Sequence, residues 1–213
     1  PAMSILLAGR LVPIKGIDTA IRAIGELHTR GINVELRVLD AHPEEEIRFD
    51  RDVRRYQGLW YHFGEGYRDA SYGSDLWLSL LIQSYEKVCR RLHERYEGRF
   101  ILYQFGMGSC GENHPIGACA PDGRWFCADF SPAMIHCFRR WLRAKYGTDE
   151  ALQAAWSLPE IGLDRAEPPT RIERLRTDWF TFRDPRRAWV ADYLECFADR
   201  IEEIVISICS AIK

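Results

Sequence analysis

Short apolar runs set between longer amphipathic ones constrain this chain more than any other feature. Ser4–Leu11 is apolar enough for a buried strand, and a turn at Pro13–Gly16 ends it. Asp18 then caps a helix that carries Ala20, Ile21, Ile24 and Leu27 on one face, and Gly31 closes it. Val34–Leu39 reads as a second strand. From Ser74 to about Tyr96, Leu76, Leu80, Leu81, Val88 and Leu92 keep helical spacing, and Phe100–Phe105 forms a third strand. The alternation predicts an α/β fold.

The second half is richer in helix signals. Ser131-Pro132 supplies an N-cap and a proline for the first turn, and Gly147 ends that helix. Thr148 caps a short helix bearing Leu152 and Trp156, and Thr170 with Glu173 forms a capping box before the charged RIERLR segment, read as a solvated face. Asp184-Pro185 opens a last helix with Trp189, Tyr193, Phe197, Ile201 and Ile204 as its buried stripe. Three legible strands fall well short of the eight that close a barrel. An incomplete barrel is therefore the expectation.

Charge excludes some classes of partner. Lys plus Arg number 29 against 31 for Asp plus Glu, so no net field draws the chain to nucleic acid or anionic lipid. The apolar stretch near Ile204–Ile212 is too short to span a bilayer. Seven cysteines, odd in number and unevenly spaced, argue against a disulfide framework and for a reducing, cytoplasmic setting. Seven tryptophans suit sugar stacking, and a large aromatic core explains them equally well.

The segment from Phe100 to Asp129 concentrates the chemistry. A buried strand delivers a loop holding Glu112, Asn113 and His114, followed by Trp125 and Phe126. A partly buried carboxylic acid at such a strand end can protonate a glycosidic oxygen. The plain alternative is a loop glutamate that caps or pairs. Trp125 and Phe126 could stack on a sugar ring, as could Trp60, Tyr61 and His62, although any one of them serves equally as a core or loop anchor. Gly106 to Gly111 fits GxGxxG after a strand, yet Pro115, Gly117, Pro121 and Gly123 forbid the helix a dinucleotide site requires.

From residue 41 to 213 the chain resembles β-galactosidase-type retaining glycoside hydrolases of the (β/α)8 clan. The resemblance rests on SPAMIHCFRRWLRAKYG, then ALQAAW, AEPP and DWFTFRD, with AHPEEEIRF and ASYGSDLW upstream. It implies a partial (β/α)8 barrel, a carbohydrate substrate, no cofactor, and Glu112 as general acid/base, with His114, Asn113, Trp125, Phe126 and Trp60 shaping the sugar pocket. It also implies two departures. The family's common form has Asn before the acid/base, where this chain has Gly111, and no nucleophile motif is found. Retaining hydrolysis needs two carboxyls about 5 Å apart. Glu65, Asp69 and Asp129 could approach Glu112 without matching that motif, so weak or absent hydrolysis by this chain alone is expected. Some relatives hold a structural metal after the fourth strand. Cys110, Cys119, Cys127 and Cys137 with His114 and His136 could supply zinc ligands, but paired CxxC spacing is absent and buried, inert thiols are the plainer reading.

Residues 1 to 40 resemble another family, the donor-binding lobe of nucleotide-sugar glycosyltransferases. The carrying residues are ILLAGRLVPIKGIDTAIRAIGELHTRGINVELRVLD, and the resemblance implies that Arg10 and Lys15 grip a donor diphosphate. Glu86 and Glu94 have the seven-residue separation of that family's later glutamate pair in a helix that reads as a solvated face. The expected domains are thus a β-α-β segment at 1–40 and a partial hydrolase barrel at 41–213. A third reading is a truncated or chimeric chain without chemistry of its own, whose unpaired barrel edge would favour oligomers.

Overall fold

A computed structural model describes residues 3–8, 22, 25–26, 28–31, 34–39, 44–45, 47–48, 70–96, 117–119, 125–127, 129–175 and 185–212. Strands β1 (Met3–Ala8) and β2 (Val34–Leu39) pair in parallel, with Met3 opposite Val34 and Ala8 opposite Leu39. The chain is helical at 22, 25–26 and 28–29 between them, and Gly31 takes a φ of 73° there. That is the expected β-α-β order, because parallel neighbours need a crossover. β1 lies against helix α1 (Asp75–Tyr96).

A second, antiparallel pair joins β3 (Gly117–Cys119) to β4 (Trp125–Cys127). The sequence, rich in Gly, Pro and Cys after Phe105, suggests a loop throughout this stretch. Each strand has only three residues, too few for a periodic signal, and Pro121 and Gly123 lie between them. The expected strand at Phe100–Phe105 lies outside the described residues. The described chain is therefore α/β and rich in helix, with two two-stranded sheets among the described residues.

Four further helices follow: α2 (Pro132–Tyr146), α3 (Asp149–Trp156), the short α4 (Arg171–Leu175) and α5 (Ala188–Ala211). Their caps are largely those the sequence announces. Ser131 Oγ accepts the Met134 N–H at 3.1 Å, Thr148 Oγ1 accepts that of Ala151 at 3.2 Å, and Gly147 turns the chain with a φ of 75°. Ser74 Oγ caps α1 through the Trp77 N–H at 2.8 Å. At the capping box, Glu173 accepts the Thr170 N–H at 2.7 Å. The last helix departs from expectation. A 3-10 turn occupies Pro185–Arg187, and the α-helix proper starts at Ala188 without a side-chain cap.

The core lies where α1, α2, α3 and α5 meet. Met134, Phe138 and Leu142 of α2 are fully buried beside Leu152 of α3 and Ile204 and Ile208 of α5. Phe138 stacks on Trp156 at 6.3 Å and meets Tyr193 edge-on at 5.4 Å, while Tyr72 stacks between Trp77 and Phe197. The face of α1 is rotated from the one that spacing alone suggests, whereas the expected stripe of α5 holds, with Tyr193, Phe197 and Ile204 buried and Trp189 and Ile201 packed against the core. On α1, Leu78 and Cys89 are buried, whereas Leu76 and Val88 are 53% and 46% exposed. On α5, Val190, Tyr193, Cys196, Phe197, Ile204 and Ile208 are buried together with Asp192 and Arg200.

Candidate functional site

Glu112, Asn113, His114, Trp60, Arg10 and Lys15 lie outside the described residues, as do Glu65, Asp69 and Cys110. Trp125 and Phe126 are described through their backbone alone: β4 places them opposite Cys119 and Ala118. What the described residues define is the junction immediately beyond that strand, where the chain leaves the Glu112 segment and enters α2.

Asp129 organises this junction. Its side chain is fully buried, and Oδ1 accepts the Arg48 N–H at 3.0 Å and the Ser131 N–H at 2.7 Å. Two main-chain bonds run alongside, from Phe130 N–H to Arg48 C=O at 2.8 Å and from Ser71 N–H to Glu45 C=O at 2.7 Å. The 45–48 segment is thereby held to both the 129–131 and the 71–74 segments. Tyr193 reaches up from α5, its hydroxyl accepting the Asp129 N–H at 3.1 Å and donating to the Asp129 carbonyl at 3.3 Å. Burial pushes the Tyr193 phenol up to about 12. The Asp129 carboxyl thus sits within the core, with no solvent-facing oxygen to offer a substrate.

A second polar cluster fixes the approach of α1 to α5. The Arg200 guanidinium, 2% exposed, donates to the main-chain carbonyls of Tyr72 at 2.8 Å and Ser74 at 3.1 Å, and to Asp75 at 2.8 Å. Asp75 also receives Arg140 from α2 at 2.6 Å, and that guanidinium holds the Asp75 carboxyl below the usual range. Arg174, placed by sequence on a solvated face, is instead buried. Its guanidinium lies 4.9 Å from the Phe130 ring centre and 4.4 Å from that of Tyr193, and Nε donates to the Pro169 carbonyl.

The residues that carry the hydrolase resemblance close a third cluster. Asp192 of α5 is buried and accepts Lys145 Nζ at 2.8 Å, the Tyr146 hydroxyl at 2.7 Å and Trp156 Nε1 at 2.6 Å. The KYG and AAW motifs therefore serve as framework, each supplying a donor to one carboxylate. Burial disfavours the charge on Lys145, but Asp192 and Glu195 outweigh it and keep the ammonium charged. Asp192 and Arg200 give no signal in the sequence, since an apolar stripe gives no sign that a charge lies beneath it, and Arg174 is hidden in a charged run that looks solvated throughout.

Of the proposed zinc ligands, Cys127 and Cys137 are buried and His136 is exposed. Cys137 faces Cys196 of α5, and no cluster of three or more ligating side chains occurs among the described residues. No helix among the described residues is long and apolar enough to cross a membrane.

No family model matches the chain, and no curated protein matches it. Among solved structures, it is similar to the β-galactosidase of the psychrophilic Marinomonas ef1, at 17% identity and a TM-score of 0.48 over 91% of this chain. It is also similar to the β-galactosidase of Bacillus circulans sp. alkalophilus, at 20% identity and a TM-score of 0.36 over 87%. This chain spans 27% of the length of each. At those values neither likeness fixes a fold or an activity for this chain.

Proposed function

We propose that this chain is of glycoside hydrolase type and recognises β-linked galactosides, with Glu112 as the general acid/base. The observation that carries the reading is the ordered run of FRRWLRAKYG, ALQAAW and AEPP in the sequence, which folds as two capped helices tied to one buried carboxylate. In the proposed mechanism Glu112 delivers a proton to the leaving oxygen, while Trp125, Phe126, Trp60, Asn113 and His114 line the sugar. The partial barrel belongs to the same proposal. Gly111 before the acid/base, the lack of a nucleophile motif and the burial of Asp129 together favour slow turnover.

The test is release of nitrophenol from nitrophenyl β-galactoside by the chain and by Glu112→Gln. A slow rate that the variant loses by about 100-fold or more is expected, in line with general acid catalysis. An equal rate in both proteins would remove Glu112 from the mechanism.

The parallel β1–β2 pair with helical chain between them favours a second reading for the N-terminal segment. There, Arg10 and Lys15 bind the diphosphate of a nucleotide sugar, with no cofactor involved. Uridine diphosphate galactose should then bind the chain and lose affinity in Arg10→Ala and Lys15→Ala. Failure of the nucleotide to bind would eliminate this reading and leave the first intact.

A further inference from the structure

Exposed charge is sorted by sign between two helices that pack side by side, α1 and α5. On α1, Lys87, Arg90, Arg91, His93 and Arg95 are exposed, and Glu94 is the one carboxylate between 87 and 95. None of the ion pairs among the described residues engages Lys87, Arg90, Arg91 or Arg95, whereas Arg139, Arg140, Arg143 and Lys145 of α2 are each paired. On α5, Glu195, Asp199, Glu202 and Glu203 are exposed, and the sole basic side chain of that helix, Arg200, is buried. Glu195, Asp199 and Glu203 accept from Lys145, Trp141 Nε1 and Arg200 respectively, and Glu202 enters no ion pair among the described residues. A carboxylate holding one donor keeps lone pairs for others.

The two sets match in spacing. Lys87, Arg91 and Arg95 follow one another at four-residue steps, and so do Glu195, Asp199 and Glu203. At a rise of about 1.5 Å per residue, each row carries like charges about 6 Å apart along its helix. Like charges at that step repel and weaken the helix that bears them, and a solvated face ordinarily intersperses both signs. A facing row of opposite charge and equal step removes both repulsions. Exposed apolar side chains border the rows, Val88 three residues before Arg91 and Ile206 three after Glu203. A net charge of −2 leaves little repulsion between copies of the chain. A polyanion fits less well, because Glu203 shares Arg200 with Asp75 of α1, which sets the carboxylates of α5 close beside that helix.

We propose that α1 and α5 form a self-association surface, on which the Lys87–Arg91–Arg95 row of one copy lies against the Glu195–Asp199–Glu203 row of a second, with Glu202 beside it. Val88 and Ile206 supply the apolar part of the contact, and the charges fix its register and exclude other partners. In a two-fold pair each copy offers both rows, so the contact is made twice. The inference does not depend on the proposed hydrolase reading.

The experiment is sedimentation equilibrium of the full chain over a range of concentration, at low and at high salt, beside Arg91→Glu, Glu202→Lys and the two combined. Both side chains are exposed and neither enters an ion pair among the described residues, so these changes leave the fold alone. Expected is reversible self-association of the natural chain, weakened at least about tenfold by either reversal, which sets like charges opposite one another, and recovered in the combined variant. It should also weaken as salt rises. A natural chain that stays monomeric throughout, self-association indifferent to salt, or a combined variant no better than the single ones would overturn the proposal. So would a monomer that binds heparin through Arg91, since that gives the row to a polyanion. Should a variant fail to fold, the concentration and salt dependence of the natural chain decides.

Discussion

Single polar residues hold this molecule together more than their number suggests. Asp192 accepts three donors from two helices, Lys145 and Tyr146 of α2 and Trp156 of α3. Removing it leaves the Trp156 and Tyr146 donors without their acceptor, while Lys145 keeps Glu195 at 2.7 Å. Asp192→Ala should therefore cost about 2–4 kcal/mol, chiefly for the two orphaned donors, read as a fall in the urea midpoint at unchanged slope. Asp192→Asn keeps an acceptor and should cost less. Tyr146, raised to about 12 by burial and by Asp192, keeps its proton to donate until strongly alkaline pH. None of this was legible in the sequence. Asp192 follows Ala191 and precedes Tyr193 without a motif, and its importance arises only when three helices converge. Arg200 teaches the same lesson through two main-chain carbonyls 126 and 128 residues away in sequence.

Elements were legible where a local rule governs them. Ser131-Pro132, Gly147-Thr148 and the Thr170…Glu173 box mark their helix ends because a cap is chemistry between neighbours. Which face a helix buries was read less well. Leu76 and Val88 of α1 keep the period yet are exposed, because Leu78, with Leu81, Ile82 and Tyr85, packs into the core that α5 shares. The contact between the 71–74 turn and α2 belongs at this scale too. A Cβ on Gly73 would lie 2.5 Å from Met134 Cα, so backbone and not a flexible side chain stands in its way. Gly73→Ala should lower stability by about 1–3 kcal/mol, as overpacking does, while Gly147→Ala meets open space and costs only left-handed strain, about 1 kcal/mol. Thermal unfolding of the two variants side by side checks the order, and a larger loss at Gly147 would contradict it.

At the scale of the whole molecule, α/β character and the helical second half follow from the order of apolar runs and caps. The short β3–β4 pair did not, because three residues carry no period. The residues behind the hydrolase-like motifs have a structural role: Lys145, Tyr146 and Trp156 all donate to the one buried carboxylate of Asp192. They serve the framework, and the proposed chemistry rests on Glu112. The most direct test therefore addresses Glu112 without relying on turnover. It is calorimetric titration of the full chain and of Glu112→Gln with a galactose-configured iminosugar, whose cationic ring mimics the charge that develops on hydrolysis. Saturable binding that weakens at least about tenfold in the variant is expected if a carboxylate at Glu112 faces the sugar. Absence of binding, or equal binding by both proteins, would contradict the assignment of a glycoside site to this chain.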